Sequence, residues 1–81
     1  MDSYKLEFNN FVIQVGLKVG YYRRLSGMTQ EHLSEMIDVS LSYIGKLEAK
    51  SQYYCPSLRT LHKIAKALGV DAAKLIDVEH D

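Results

Sequence analysis

Between Ser40 and Lys50 the chain reads SLSYIGKLEAK, and its residue types change with a helical period. Turning Ile44 and Leu47 toward a core leaves Ser42, Gly45, Lys46 and Ala49 on the opposite face, with Leu41 and Lys50 at its flanks, because each helical residue advances about 100°. That face is small and lightly charged. Its chemistry is hydrogen bonding and apolar contact: in a major groove Lys46 can donate to guanine O6 or N7 or to a phosphate, Ser42 can pair with either kind of edge, and Leu41 can touch a thymine methyl. The same pattern describes an ordinary solvated helix face, and residue types alone leave both readings open.

Other chemistries find less to work with. His32, His62 and His80 are scattered, Cys55 has no partner placed by any motif, and the serines fall at caps or on helices without a glycine elbow. His32 is expected to be exposed, His62 lies one step off an apolar stripe, and Cys55 reads as a half-buried loop residue. With one cysteine and no Cys/His cluster, neither a metal site nor a cofactor is expected, and a reducing cytoplasmic setting fits. The reading is not that of an enzyme.

The elements that must hold the outer face begin with the stretch from Thr29 to Glu48, TQEHLSEMIDVSLSYIGKLE. Thr29 and Ser40 are good N-caps, because a hydroxyl there accepts a hydrogen bond from an unpaired amide of the first turn. Leu33, Met36 and Ile37 form one apolar stripe, and Ile44 and Leu47, with Val39 before the cap, form the next. Two short helices, 29–37 and 40–49, joined by a turn, make a helix-turn-helix.

Ahead of this pair the pattern is helical over 10–26, with Phe11, Val12, Val15, Val19 and Tyr22 on one face and Gly27 as a C-terminal stop. Residues 1–9, in which Tyr4, Leu6 and Phe8 alternate with Lys5 and Glu7 as in a short strand while Phe8 also continues the helical stripe, read as an N-terminal arm. Helix 1 carries a second apolar stripe, Ile13, Leu17 and Tyr21, edged by Gly16 and Gly20. It can pack on the C-terminal helix, form a subunit interface, or remain exposed. After Pro56, Ser57 caps a helix over 57–68 whose apolar positions are Leu58, Leu61, Ile64, Ala65 and Leu68. Gly69 ends it, and Asp71 caps a last helix over 71–78, anchored by Leu75 and Ile76, with the chain fraying from Val78.

Length and charge set the frame. The 81 residues, 47% of them hydrophobic, suit one compact domain. The N-terminus lacks the build of a signal peptide, and no apolar run approaches the roughly 18 residues of a membrane span. Formal net charge is zero, yet between Lys18 and Lys66 eight basic residues face four acidic ones, with the remaining acids near the ends. A basic face backed by an acidic side would orient the molecule on DNA.

The run from Val15 to Ile76 resembles the phage-repressor-like (Cro/C1, Xre-type) helix-turn-helix family. The carrying residues are Gly27, Thr29 and Gln30, then Val39 and Ser40, Ile44, Leu47 and Glu48, Pro56, Ser57 and Leu58, and Ile64-Ala65-Lys66-Ala67-Leu68-Gly69-Val70. The resemblance implies an all-α, five-helix, lambda-repressor-like DNA-binding domain. It also implies roles. Gln30 contacts the DNA backbone or a base edge beside Thr29, and Ser57 and the Leu58 amide face the backbone, with Lys50, Tyr53 and Tyr54 nearby. Arg23 and Glu48 form a structural pair. Asp38 stands where relatives carry glycine, and Leu41 and Gly45 where they often carry polar reading side chains. The expected DNA-contacting set is Thr29, Gln30, Ser40, Leu41, Ser42, Gly45, Lys46, Lys50 and Ser57.

Together these imply a transcriptional regulator, a repressor binding double-stranded DNA at an inverted repeat as a homodimer. Because the chain ends soon after helix 5, no separate dimerisation or ligand-sensing domain is expected, which assigns that task to helix 5, the second stripe of helix 1 or the arm. The alternative is a protein-interaction module with the same fold, such as an antitoxin or a regulator of another factor.

Overall fold

A computed structural model of the chain describes residues 3–50 and 54–78. Five helices follow in order: α1 Ser3–Leu25, α2 Gln30–Ile37, α3 Leu41–Leu47, α4 Leu58–Leu68 and α5 Ala72–Ile76. The readings made for Tyr53, His80 and the last three residues fall outside the described residues.

Local signals place the helix starts. Thr29 Oγ1 accepts from the His32 amide at 3.0 Å, Ser40 Oγ from Tyr43 at 3.0 Å, and Ser57 Oγ from Thr60 at 3.1 Å. Asp71 precedes α5 without a side-chain cap bond. Helix ends use the left-handed region: Gly27 has φ 73°, Gly69 φ 71°, and Asp38, at the turn between α2 and α3, φ 59°. The Val39 amide closes that turn by donating to the Ser34 carbonyl at 3.0 Å.

One core joins all five helices. Val15 and Val19 of α1 meet Leu33 and Ile37 of α2, Ile44 and Leu47 of α3, Leu61, Ile64, Ala65 and Leu68 of α4, and Leu75 of α5. Leu33, Ile44, Ile64 and Leu75 are 0% exposed, and each such burial contributes about 1.5–3 kcal/mol.

Several sequence expectations are corrected. Residues 3–9, expected in an N-terminal arm, are helical: α1 begins at Ser3, and Tyr4, Phe8 and Phe11, one helical step apart, bring their rings to centroid distances of 6.3 and 6.4 Å. Val78 does not fray; it is buried in the core beyond the end of α5 at Ile76. Leu58, expected on the apolar stripe of α4, is 85% exposed, because it occupies the first turn and points away from the core. Met36 is 51% exposed, since Leu33 and Ile37 already fill the contact with α4. α3 stops at Leu47, with Glu48 as its C-cap, so Ala49 lies past the helix and is half-buried. Cys55 is exposed rather than half-buried.

The glycines of α1 belong to its core face. Gly16 and Gly20 are buried beside Val12, Val15, Val19 and Arg23. A Cβ on Gly16 would collide with the Leu47 carbonyl oxygen, and one on Gly20 would stand 3.1 Å from Glu48 Oε1. The backbone of α1 therefore lies directly against the C-terminal end of α3. Ile13 and Leu17 of the second stripe are half-buried but are not packed on the core, and Tyr21 is 52% exposed.

Candidate nucleic-acid interface

α3 is seven residues long, below the length at which a helix stands alone in water, so its packing must hold it. Ile44 and Leu47 anchor it at 0% and 2% exposure. Leu41, Ser42 and Lys46 face solvent, and so does Lys50 just beyond the helix. Gly45 is half-buried, yet a Cβ built there meets nothing within 4 Å. Packing inside the chain does not require a glycine at this position.

Behind the helix, Glu48 collects donors from two other segments. Arg23 gives it Nε at 2.8 Å and Nη2 at 2.9 Å, a bidentate pair whose side chains are 10% and 6% exposed. Gln30 adds Nε2 at 3.0 Å. The remaining guanidinium nitrogen, Nη1, donates to the Met28 carbonyl at 2.8 Å, in the turn before α2. The hydrogen bond to Glu48 holds the Arg23 pKa above its ordinary value. Residues from α1, the turn, α2 and the end of α3 thus share one polar cluster, and no buried side-chain N or O among the described residues lacks a partner.

A second cluster flanks the outer face. Tyr43 packs edge-on against Tyr54 at 5.1 Å, and Lys46 Nζ lies 6.0 Å from the Tyr54 ring centroid, at the outer reach of a cation–π contact. Burial raises the Tyr43 phenol above its ordinary pKa, against a hydrogen bond with Thr60 that lowers it.

The structure thus gathers Leu41, Ser42, Gly45 and Lys46 on one face, with Ser40 exposed at its start. Thr29 is exposed ahead of α2, and Gln30 turns partly inward to Glu48. Ser57 Oγ and Thr60 Oγ1 are hydrogen-bonded at 3.0 Å at the start of α4. The pairing of Arg23 with Glu48 expected from the resemblance is present. Sequence reasoning missed Gln30 and Met28 as its further members; the signal available was the spare acceptor capacity of a buried carboxylate. It also missed Tyr43 as the bridge from α3 to the following loop.

Five helices without a strand among the described residues, and a short helix whose outer face is left uncrowded, define a helix-turn-helix DNA-binding domain. The chain matches the helix-turn-helix family over residues 19–75. It is 39% identical over 64 residues to an HTH-type transcriptional regulator of Methanocaldococcus jannaschii, covering 79% of this chain and 94% of that one. The immunity repressor protein of Bacillus phage phi105 is 34% identical over 65 residues, which span 80% of this chain but 44% of the repressor. Among solved structures, the biofilm master regulator SinR in complex with DNA is similar at TM-score 0.70 and 30% identity, over 78% of this chain and 98% of that chain. The restriction-modification controller protein C.AhdI of Aeromonas hydrophila is similar at TM-score 0.72 and 26% identity, over 79% and 94%.

The chain belongs to the helix-turn-helix family, in its phage-repressor-like (Cro/C1, Xre-type) branch, with the five-helix lambda-repressor-like fold. It is a DNA-binding transcriptional regulator, of a family that is typically non-enzymatic. Among the described residues, no helix is long and apolar enough to cross a membrane.

Proposed function

We propose that this regulator is a repressor that binds an inverted-repeat operator as a homodimer, laying one α3 into each of two major-groove half-sites. The observation that carries the reading is the outer face of α3: Leu41, Ser42 and Lys46 face solvent around the open position at Gly45, while Ile44, Leu47 and Glu48 are held from behind. Lys46 and Ser42 read base edges, Leu41 meets a thymine methyl, and Gly45 lets the backbone approach the groove.

Phosphates are held around this face. Thr29 and Ser40 use their hydroxyl oxygens as caps and keep a proton to donate, and Lys50 adds charge. Gln30 gives one amide hydrogen to Glu48 and keeps a second for DNA, so its reach is fixed by the same cluster that fixes α3. Ser57 acts through the amides that begin α4. Polar readout by so small a face is sparse, so DNA shape contributes to the sequence preference.

Selection from randomised duplexes at near-physiological salt, followed by sequencing, tests this. Enrichment of inverted half-sites about 34 Å apart is expected. Weak, steeply salt-dependent binding without enrichment overturns it and favours the protein-interaction reading. The observation on that side is Leu41, an apolar residue 48% exposed at the start of the reading helix.

A further inference from the structure

Leu6, Ile13, Leu17 and Tyr21 lie on the side of α1 that faces away from the core. Leu6 and Tyr21 are 50% and 52% exposed, and Ile13 and Leu17 have no place in the core cluster. With Asn10 they repeat at intervals of three and four residues along about 22 Å of helix, the spacing of a two-helix seam. We infer that this stripe is the surface on which a second copy of the chain pairs, with the two α1 helices antiparallel and crossing between Asn10 and Ile13.

Both the shape and the charge of the stripe are self-complementary. At its C-terminal end Gln14, Leu17, Lys18, Tyr21 and Tyr22 line an open hollow of about 450 Å³, with the cation of Lys18 in its lining. At its N-terminal end stand an exposed leucine and an exposed carboxylate, Leu6 and Glu7. An antiparallel pair related by a two-fold axis that passes between Asn10 and Ile13 sets Leu6 of one copy beside Leu17 of the other, and Glu7 beside Lys18, twice over. Neither Glu7 nor Lys18 has an ion-pair partner among the described residues. Asn10 falls beside Ile13 of the other copy, a polar position of the kind that fixes register in paired helices.

This rests on the dimeric reading above and names its surface. Sedimentation equilibrium of the full chain without DNA is the test, with circular dichroism melts to verify folding. Wild type is expected at twice the chain mass of 9.2 kDa, and Leu17→Glu at a single mass while still melting cooperatively, its midpoint lowered only by the loss of association. Glu7→Lys should raise the dimer Kd at least about tenfold, since it sets like charges together, and Glu7→Lys with Lys18→Glu should restore it. A monomeric wild type, a dimer that survives Leu17→Glu, or a double exchange that restores nothing overturns the proposed surface. The duplex selection reads independently: inverted half-sites enriched by a protein whose dimer survives Leu17→Glu keep the operator reading and move its interface elsewhere.

Discussion

Gly16 and Gly45 mark the two sides of α3. At Gly16 the carbonyl of Leu47 occupies the space a side chain would need; at Gly45 nothing stands within 4 Å. Behind α3, Glu48 is gripped by Arg23 and Gln30 and the apolar anchors are buried; in front, the side chains end in solvent. The contrast teaches that one seven-residue helix divides its tasks by face, so substitutions behind it should act on folding and substitutions in front on binding.

The strongest way to break that division is Glu48→Ala. It strands the Arg23 guanidinium in a buried site and should cost about 3–5 kcal/mol in denaturant unfolding. A loss below about 1 kcal/mol would mean that α3 is held by its apolar anchors alone. Gly16→Ala should cost about 1–3 kcal/mol, because the clash is with backbone and only a shift of α1 relieves it. Thermal melts read this as a drop of several degrees, and an unchanged melting temperature would contradict the close approach of α1 to α3.

In front, Lys46→Ala should leave stability within about 0.5 kcal/mol while weakening binding to a selected duplex by about 1–3 kcal/mol. Gly45→Ala sharpens the comparison further: it should stabilise the fold by up to about 1 kcal/mol through helix propensity and weaken duplex binding. Loss of stability in either variant would show that the outer face also serves the fold. The smallest effect concerns Tyr43, between the two sides. Its folded pKa is raised above the ordinary 10.0, so its contribution is complete below that value and is lost as pH rises through the folded one. Tyr43→Phe should flatten the alkaline limb of a stability-against-pH curve above about pH 10 and leave the neutral region unchanged.

Much of this division could be read from the chain, because it rests on local signals. Hydroxyls at Thr29, Ser40 and Ser57 name helix starts, and the intervals of Leu33, Ile37, Ile44 and Leu47 name a buried side. The misreadings came where a residue's fate depends on a distant partner. Gly16 and Gly20 looked like the edge of the outer stripe because their spacing does not reveal that α3 ends against them. Val78 looked like a frayed end because nothing local requires the chain to turn back into the core after Ile76. Leu58 looked buried because its type fits the stripe of α4, whereas its place in the first turn carries it off the core. At the start of α1, alternation of Tyr4, Leu6 and Phe8 suggested an arm, although Phe8 also continues the helical stripe that follows, and the step from Tyr4 to Phe8 to Phe11 proves to be a helical ladder.

The polar cluster at Glu48 also bears on the order of folding. Arg23 and Glu48 are separated by 25 residues, and their contact can close only after α1 and α3 have met. α2 and α3, at eight and seven residues, are each too short to persist before that meeting. A peptide cut to Thr29 to Glu48 would therefore hold neither helix, and the DNA-reading unit cannot be transplanted as a segment. Its shape is a late product of the whole chain, formed in the same cooperative step that docks α1.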